Sequence, residues 1–183
     1  MKYVKTPLND VYLLEIEPFE DQRGIFARLF CQKELKTINQ DKTIKQINFS
    51  YTRNKGTVRG MHFQYPPRAE TKMIKCLQGK VFDVAIDLRK GSKTFLKWHG
   101  EILSKDNLKM IYIPEGFAHG FQTLESNCEL IYLHTEFYTP NSEGGLCYND
   151  PSIGIKWPLP VQELSEKDNK FKTLSLHFNG INL

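Results

Sequence analysis

Residues 79–92 read GKVFDVAIDLRKGS, and the period of this stretch decides the fold class. Phe82, Val84, Ile86 and Leu88 fall on one side of an extended chain and Asp83, Ala85 and Asp87 on the other. That alternation is the mark of a strand, and Lys90-Gly91-Ser92 supplies the turn that ends it. Working outward, comparable runs occupy 11–16, 44–49, 57–64, 73–77, 109–113 and 129–135, each bounded by Gly, Pro, Asn or Asp. Helix signals are sparse. Residues 32–38 predict about two turns, and Ser165 stands three residues before Asp168 as an S-x-x-D cap. Many short strands with regularly spaced turns predict an all-β jelly-roll barrel or sandwich with a few short helices, whose facing sheets enclose room for a ligand.

Composition narrows the function. The 183 residues are 40% hydrophobic, enough for one buried core, so residues 1–183 are expected to form a single domain. The formal charge of +4, from 25 basic and 21 acidic residues, is spread without a long basic run. This argues against nucleic acid as a partner and permits an anionic small ligand. The N-terminal residues lack a signal-like apolar core, and no stretch approaches the roughly 20 apolar residues that span a bilayer. The expectation is a cytoplasmic protein with no membrane partner. Cys31, Cys76, Cys128 and Cys147 are far apart and form no C-x-x-C pair, so they read as reduced thiols.

The chemistry concentrates in GTVRGMHFQYPP, residues 56–67. In a strand, His62 shares a face with Gly60 and Gln64 while Met61 and Phe63 pack behind it. The same rule groups Lys72 with Ile74 and Cys76, and Tyr132 with Leu130 and His134. Three readings of His62 compete. A buried histidine is ordinarily a hydrogen-bonded structural residue. A metal ligand needs companions, yet the H-x-H pair of jelly-roll metal sites is interrupted here by Gln64, and His99, His119, His134 and His177 have no ligand-like spacing with it. A general base needs a cation to hold an enolate and an acid for the opposite face, and Lys72 and Tyr132 are candidates.

Nine segments then point to one family: FEDQRGIFARLF, KQINFS, GTVRGMHFQYPPRAETK, GKVFDVAIDLRKGSKTFLKW, LSKDN, YIPEGFAHGFQTL, CELIYLHTEFYTP, YNDPSIGIKWP and LSEKD. In order and spacing they resemble the dTDP-4-dehydrorhamnose 3,5-epimerase family. The resemblance implies a cupin-type jelly roll, or double-stranded β-helix, that works as a homodimer without metal or nicotinamide cofactor. It implies a nucleotide-linked 4-keto-6-deoxyhexose substrate, inverted at C3, C5 or both through an enolate, in deoxysugar biosynthesis for a surface polysaccharide or a glycosylated metabolite. By position, His62 is the implied base, Lys72 the cation at the enolate oxygen, Tyr132 the opposed acid and Asp168 the carboxylate that orients His62. Arg59 and His119 correspond to substrate contacts. Phe19, Arg23, Gln46 and Asn48 correspond to nucleotide contacts.

Ordinary readings stand beside these. Lys72 reads equally as a solvated strand end, Tyr132 as a core residue, Asp168 as a helix cap, His119 as part of a glycine-flanked turn, and Asp83 and Asp87 as strand-edge charges. The chain also departs from the family pattern. Arg28 replaces a glutamate near the nucleotide, Phe137 replaces a phenol, Leu133 replaces a lysine, and Cys147-Tyr148 replaces a tryptophan. Charge reversal at Arg28 leaves the nucleotide base open, and Phe137 leaves open how the sugar is held. Two other functions fit the same features: a cupin 3,4-ketoisomerase, and a non-catalytic sugar-binding cupin that uses Trp98 and Trp157 as stacking platforms.

Overall fold

The computed structural model describes residues 1–38 and 42–183. The strands are β1 (Lys2–Lys5), β2 (Tyr12–Glu15), β3 (Phe19–Asp21), β4 (Gly24–Phe26), β5 (Gln46–Thr52), β6 (Val58–Gln64), β7 (Lys72–Gln78), β8 (Lys80–Asp87), β9 (Trp98–Ser104), β10 (Lys109–Ile113), β11 (Phe117–Thr123), β12 (Cys128–His134) and β13 (Glu143–Gly145). Two short helices, α1 (Gln32–Leu35) and α2 (Glu166–Asn169), and one 3-10 turn at Pro140–Ser142 complete the described elements. A six-stranded sheet, ordered β1-β2-β10-β7-β12-β5, faces a five-stranded sheet, ordered β13-β6-β11-β8-β9. All strand pairings in both sheets are antiparallel. The architecture is the all-β jelly roll that the turn spacing predicts, of the cupin type that the resemblance implies, and β3 and β4 form a separate two-stranded hairpin.

Alternation sorts each sheet into an inner and an outer face. Leu13, Ile74, Ile111 and Leu130 of one sheet meet Val81, Ala85, Phe117 and Phe121 of the other in the interior cluster. Their odd-numbered neighbours Met73 and Leu133 pack outward with Leu14, Met110 and Leu35 beneath the N-terminal segment. On the five-stranded sheet Phe82, Val84, Ile86 and Leu88 also point outward, against Trp98, Trp157, Ile153 and Ile181. The clean apolar face of GKVFDVAIDLRKGS is therefore covered by the C-terminal segment, and its polar face looks into the barrel. Asp83 and Asp87 are fully buried and are not strand-edge charges. Trp98 and Trp157 pack edge-on against Phe82, which removes them as exposed sugar platforms.

Several expectations need local revision. The strand expected at 44–49 begins at Gln46 and runs to Thr52. The helix expected over 32–38 is regular only through Leu35. GFAHGF is not a turn: it lies within and just before β11, the central strand of the five-stranded sheet. Its glycines argued for a turn, but Gly120 is required by crowding, since an added Cβ there would lie 2.5 Å from Met61 Sδ and 2.7 Å from the Arg59 carbonyl.

Candidate active site

Pairing between β6 and β11 contains one irregularity, and it builds the site. His62 lies opposite His119 and Arg59 opposite Phe121, so three steps along β6 match two along β11. The extra residue sits at Gly60-Met61, where Gly60 has φ +135° and an added Cβ would fall 2.6 Å from the Gly120 Cα. A strand bulge of this kind turns consecutive side chains to the same side. Strict alternation would send Arg59 to the side of Met61. Instead Arg59 and His62 both line a cavity of about 840 Å³ between the sheets, together with Lys72, His119, Tyr132 and Asp168.

Each wall contributes a different chemistry. From the five-stranded sheet, His62 Nε2 lies 2.7 Å from Asp168 Oδ1. Asp168 sits in α2, where its own N–H donates to Ser165 Oγ, so the predicted cap and the predicted histidine partner are one residue. Its second oxygen accepts from the Gly60 N–H at 3.1 Å. Burial opposes ionisation of this carboxyl, but His62, the Gly60 amide and Ser165 outweigh it and hold Asp168 below the usual carboxylate range. A carboxylate facing Nε2 places a proton there and leaves Nδ1 of His62 as the basic nitrogen. The His62 side chain remains 32% exposed, open to the cavity, with the Phe171 ring packed edge-on at 5.7 Å.

From the six-stranded sheet, Tyr132 packs on the interior cluster and its hydroxyl lies 2.9 Å from Ser50 Oγ. Burial drives the phenol pKa up, only partly offset by the bond to Ser50, so Tyr132 is a protonated donor across the physiological range. Lys72 is buried rather than solvated, with Nζ 3.1 Å from Glu70 Oε1. His119 is 2.9 Å from Asp83 Oδ2, and its ring lies 6.2 Å from that of Tyr132. The Arg59 guanidinium bonds Thr52 Oγ1 and the Tyr51 carbonyl, with no carboxylate partner among the described residues. Among the described residues no three His, Cys, Asp or Glu side chains converge as a metal-ligand set. A carboxylate–imidazole dyad on one wall, a neutral phenol on the other and cations between them can remove and return a carbon-bound proton beside a carbonyl.

The family profile described as dTDP-4-dehydrorhamnose 3,5-epimerase matches residues 5–175. The chain belongs to that family. The dTDP-4-dehydrorhamnose 3,5-epimerase of Salmonella typhimurium is 44% identical over 170 residues, covering 92% of each chain. Among solved structures, the dTDP-6-deoxy-D-glucose-3,5-epimerase of Legionella pneumophila, in complex with dTDP-4-keto-L-rhamnose, superimposes with a TM-score of 0.91 at 38% identity, covering 96% of this chain and 94% of that one. The dTDP-4-dehydrorhamnose 3,5-epimerase of Bacillus anthracis, with TDP and pyrophosphate bound, gives 0.91 at 41% identity, covering 94% and 99%. The chain is a sugar epimerase, an isomerase.

Not every candidate residue of this epimerase reaches the cavity. Asn48 does, while Gln46 lines a smaller adjoining cavity of about 120 Å³ that shares Asn48, His62, Lys72 and His134. Phe19 and Arg23 lie on the β3–β4 hairpin, Phe19 with 78% of its surface exposed and Arg23 paired to Asp21. Arg28 is engaged by Glu34 at 2.6 Å. None of these three lines the cavity. Phe137 is exposed beside Lys45 and is likewise outside it. Leu133, where the family has lysine, packs in the outer cluster on the far side of the sheet, so this departure does not touch the site. Sequence reasoning missed Glu70, Ser50 and the partnership of Asp83 with His119. The only available signal for Asp83 was a carboxylate on the inward face of an otherwise apolar strand.

Proposed function

We propose that the chain inverts the carbons flanking the ketone of a nucleotide-linked 4-keto-6-deoxyhexose by proton removal and return. The C3 and C5 protons are acidified by the C4 carbonyl, and removing either places the electron pair on the C4 oxygen as an enolate. His62 Nδ1 takes the proton, and Asp168 stabilises the resulting imidazolium. Lys72 faces the enolate oxygen, and the Tyr132 hydroxyl delivers a proton from the other side. The observation that carries this reading is the opposition of the two groups: His62, backed by Asp168 of α2, stands on the five-stranded sheet and a phenol held protonated stands on the six-stranded sheet, both lining one cavity. Inversion requires two opposed proton carriers, whereas a binding module has no use for them. His119, held by Asp83, serves as a further donor to the sugar, and the unpaired Arg59 suits the diphosphate.

The nucleotide end is completed by a second protomer in this proposal. Phe19 and Arg23 extend on a hairpin away from their own cavity, and Phe26 beside them is 75% exposed. Residues of this type make contacts only when another surface covers them. Ile47 and Phe49, on the outer face of the edge strand β5, offer such a surface. A two-fold homodimer, with each hairpin near the partner's site, satisfies both. Residues 1–183 act as one domain of that dimer. No helix among the described residues is long and apolar enough to cross a membrane, and four free cysteines support a cytoplasmic location.

The test is deuterium incorporation at C3 and C5, followed by NMR in deuterated water, over a panel of dTDP-, CDP-, UDP- and GDP-linked 4-keto-6-deoxy sugars. Stereochemical inversion with wash-in at one or both carbons is expected for the dTDP compound. A ketone displaced to C3 would identify a ketoisomerase, and absence of exchange with every compound would remove the reading.

A further inference from the structure

One buried carboxylate, on the wall of the smaller adjoining cavity, has no part in the chemistry just described. Glu70 stands two residues before Lys72, its side chain only 9% exposed, and divides its two oxygens between two partners. Oε1 lies 3.1 Å from Lys72 Nζ and Oε2 lies 2.7 Å from His134 Nδ1. Burial opposes its ionisation, but His134 and Lys72 prevail and hold it below the usual carboxylate range. A fixed negative charge beside the ammonium weakens the pull of Lys72 on an oxyanion, so electrostatics alone gives no reason for a carboxylate here. Geometry does. Lys72 Nζ donates to Glu70 and, at 3.4 Å, to the His62 carbonyl. An ammonium has three N–H bonds, and two fixed acceptors leave one for the cavity.

The second oxygen of Glu70 extends the same order toward the mouth. With Nδ1 facing a carboxylate, His134 carries its proton there and presents Nε2 to the Asn48 amide, 3.4 Å away. Asn48 Oδ1 accepts from Gln46 Nε2 at 3.0 Å, and Gln46 Oε1 accepts from the Tyr138 N–H at 3.0 Å. The His134 ring also stacks on Tyr132, with centroids 6.2 Å apart and planes at 28°. We propose that Glu70 is a positioning residue: it fixes the Lys72 ammonium at the enolate oxygen and, through His134, braces the ring of Tyr132. The proposal rests on the role given to Lys72 above.

The experiment uses the full chain and the dTDP-linked 4-keto-6-deoxyglucose, reading kcat and KM for deuterium wash-in and, separately, the Kd for dTDP by calorimetry. Glu70→Gln retains shape but has one acceptor and one donor where two acceptors are needed. It should lose roughly 10²-fold in kcat, the scale of a misplaced catalytic group, with dTDP affinity within about twofold, the margin for a group that acts only at the sugar end. Glu70→Asp keeps the charge and should recover part of the loss. If Glu70→Gln fails to unfold cooperatively, Glu70→Asp decides: a fall in kcat with unchanged dTDP affinity supports positioning. Full kcat in Glu70→Gln, or parallel loss of kcat and dTDP affinity in either variant, would overturn it. Lys72→Met with undiminished wash-in would instead overturn the role of Lys72 itself.

Discussion

The two proposed proton carriers, His62 and Tyr132, differ in what their removal should do. His62→Ala removes the base, so both wash-in and inversion are expected to fall by roughly 10²–10⁴-fold, with dTDP binding preserved. Tyr132→Phe leaves the base in place but removes the opposed donor. Its expected signature is deuterium that enters without change of configuration, read by NMR of the recovered sugar. Asp168 carries a pH prediction. Its carboxyl is lowered in the fold, so its contribution to stability is complete above the unfolded value of about 4 and is lost as pH falls through the lower folded value. Asp168→Asn should flatten the acid limb of the stability curve below about pH 4 while stability at pH 7 depends on pH no more than before. An unchanged acid limb, measured by urea unfolding across pH 2–5, would contradict the dyad as described.

At the scale of elements, β6 is the strand on which the site depends. Its bulge at Gly60-Met61 brings Arg59 and His62 to one face, and Gly60 is forced by a positive φ and by close approach to Gly120. Gly60→Ala is expected to cost at least about 2 kcal/mol in urea unfolding, from the disfavoured φ and the contact together. Residual folded protein should show weakened dTDP binding, because Arg59 moves with the bulge. The sequence motif around His62 was legible as a strand, and its alternation correctly separated His62 from Met61 and Phe63. Arg59 was not assignable by alternation, since a bulge is a register event between two strands and neither strand alone encodes it. The β11 strand was missed for a related reason: its Gly120 answers to Met61 and Gly60 across the sheet, and only Gly116, just before the strand, belongs to a turn.

At the scale of the molecule, the exposed hairpin and the apolar outer face of β5 predict association. Ile47→Asp should convert a dimer to a monomer in sedimentation equilibrium at micromolar concentration. It should also weaken dTDP binding, because the hairpin contacts of Phe19 and Arg23 would be lost with the partner. A monomeric unmodified chain that binds dTDP normally would remove the shared site.

By itself the sequence determined the all-β class and the family, because these follow from period, composition and motif, which are properties of neighbouring residues. The tertiary structure decided which faces those residues share. It turned the apolar side of β8 outward under the C-terminal segment, joined Asp168 to His62 across 106 positions, buried Lys72 against Glu70, and left Phe19 and Arg23 outside their own cavity. Those arrangements depend on register and packing between distant segments, and local alternation carries no information about the partner a side chain will meet.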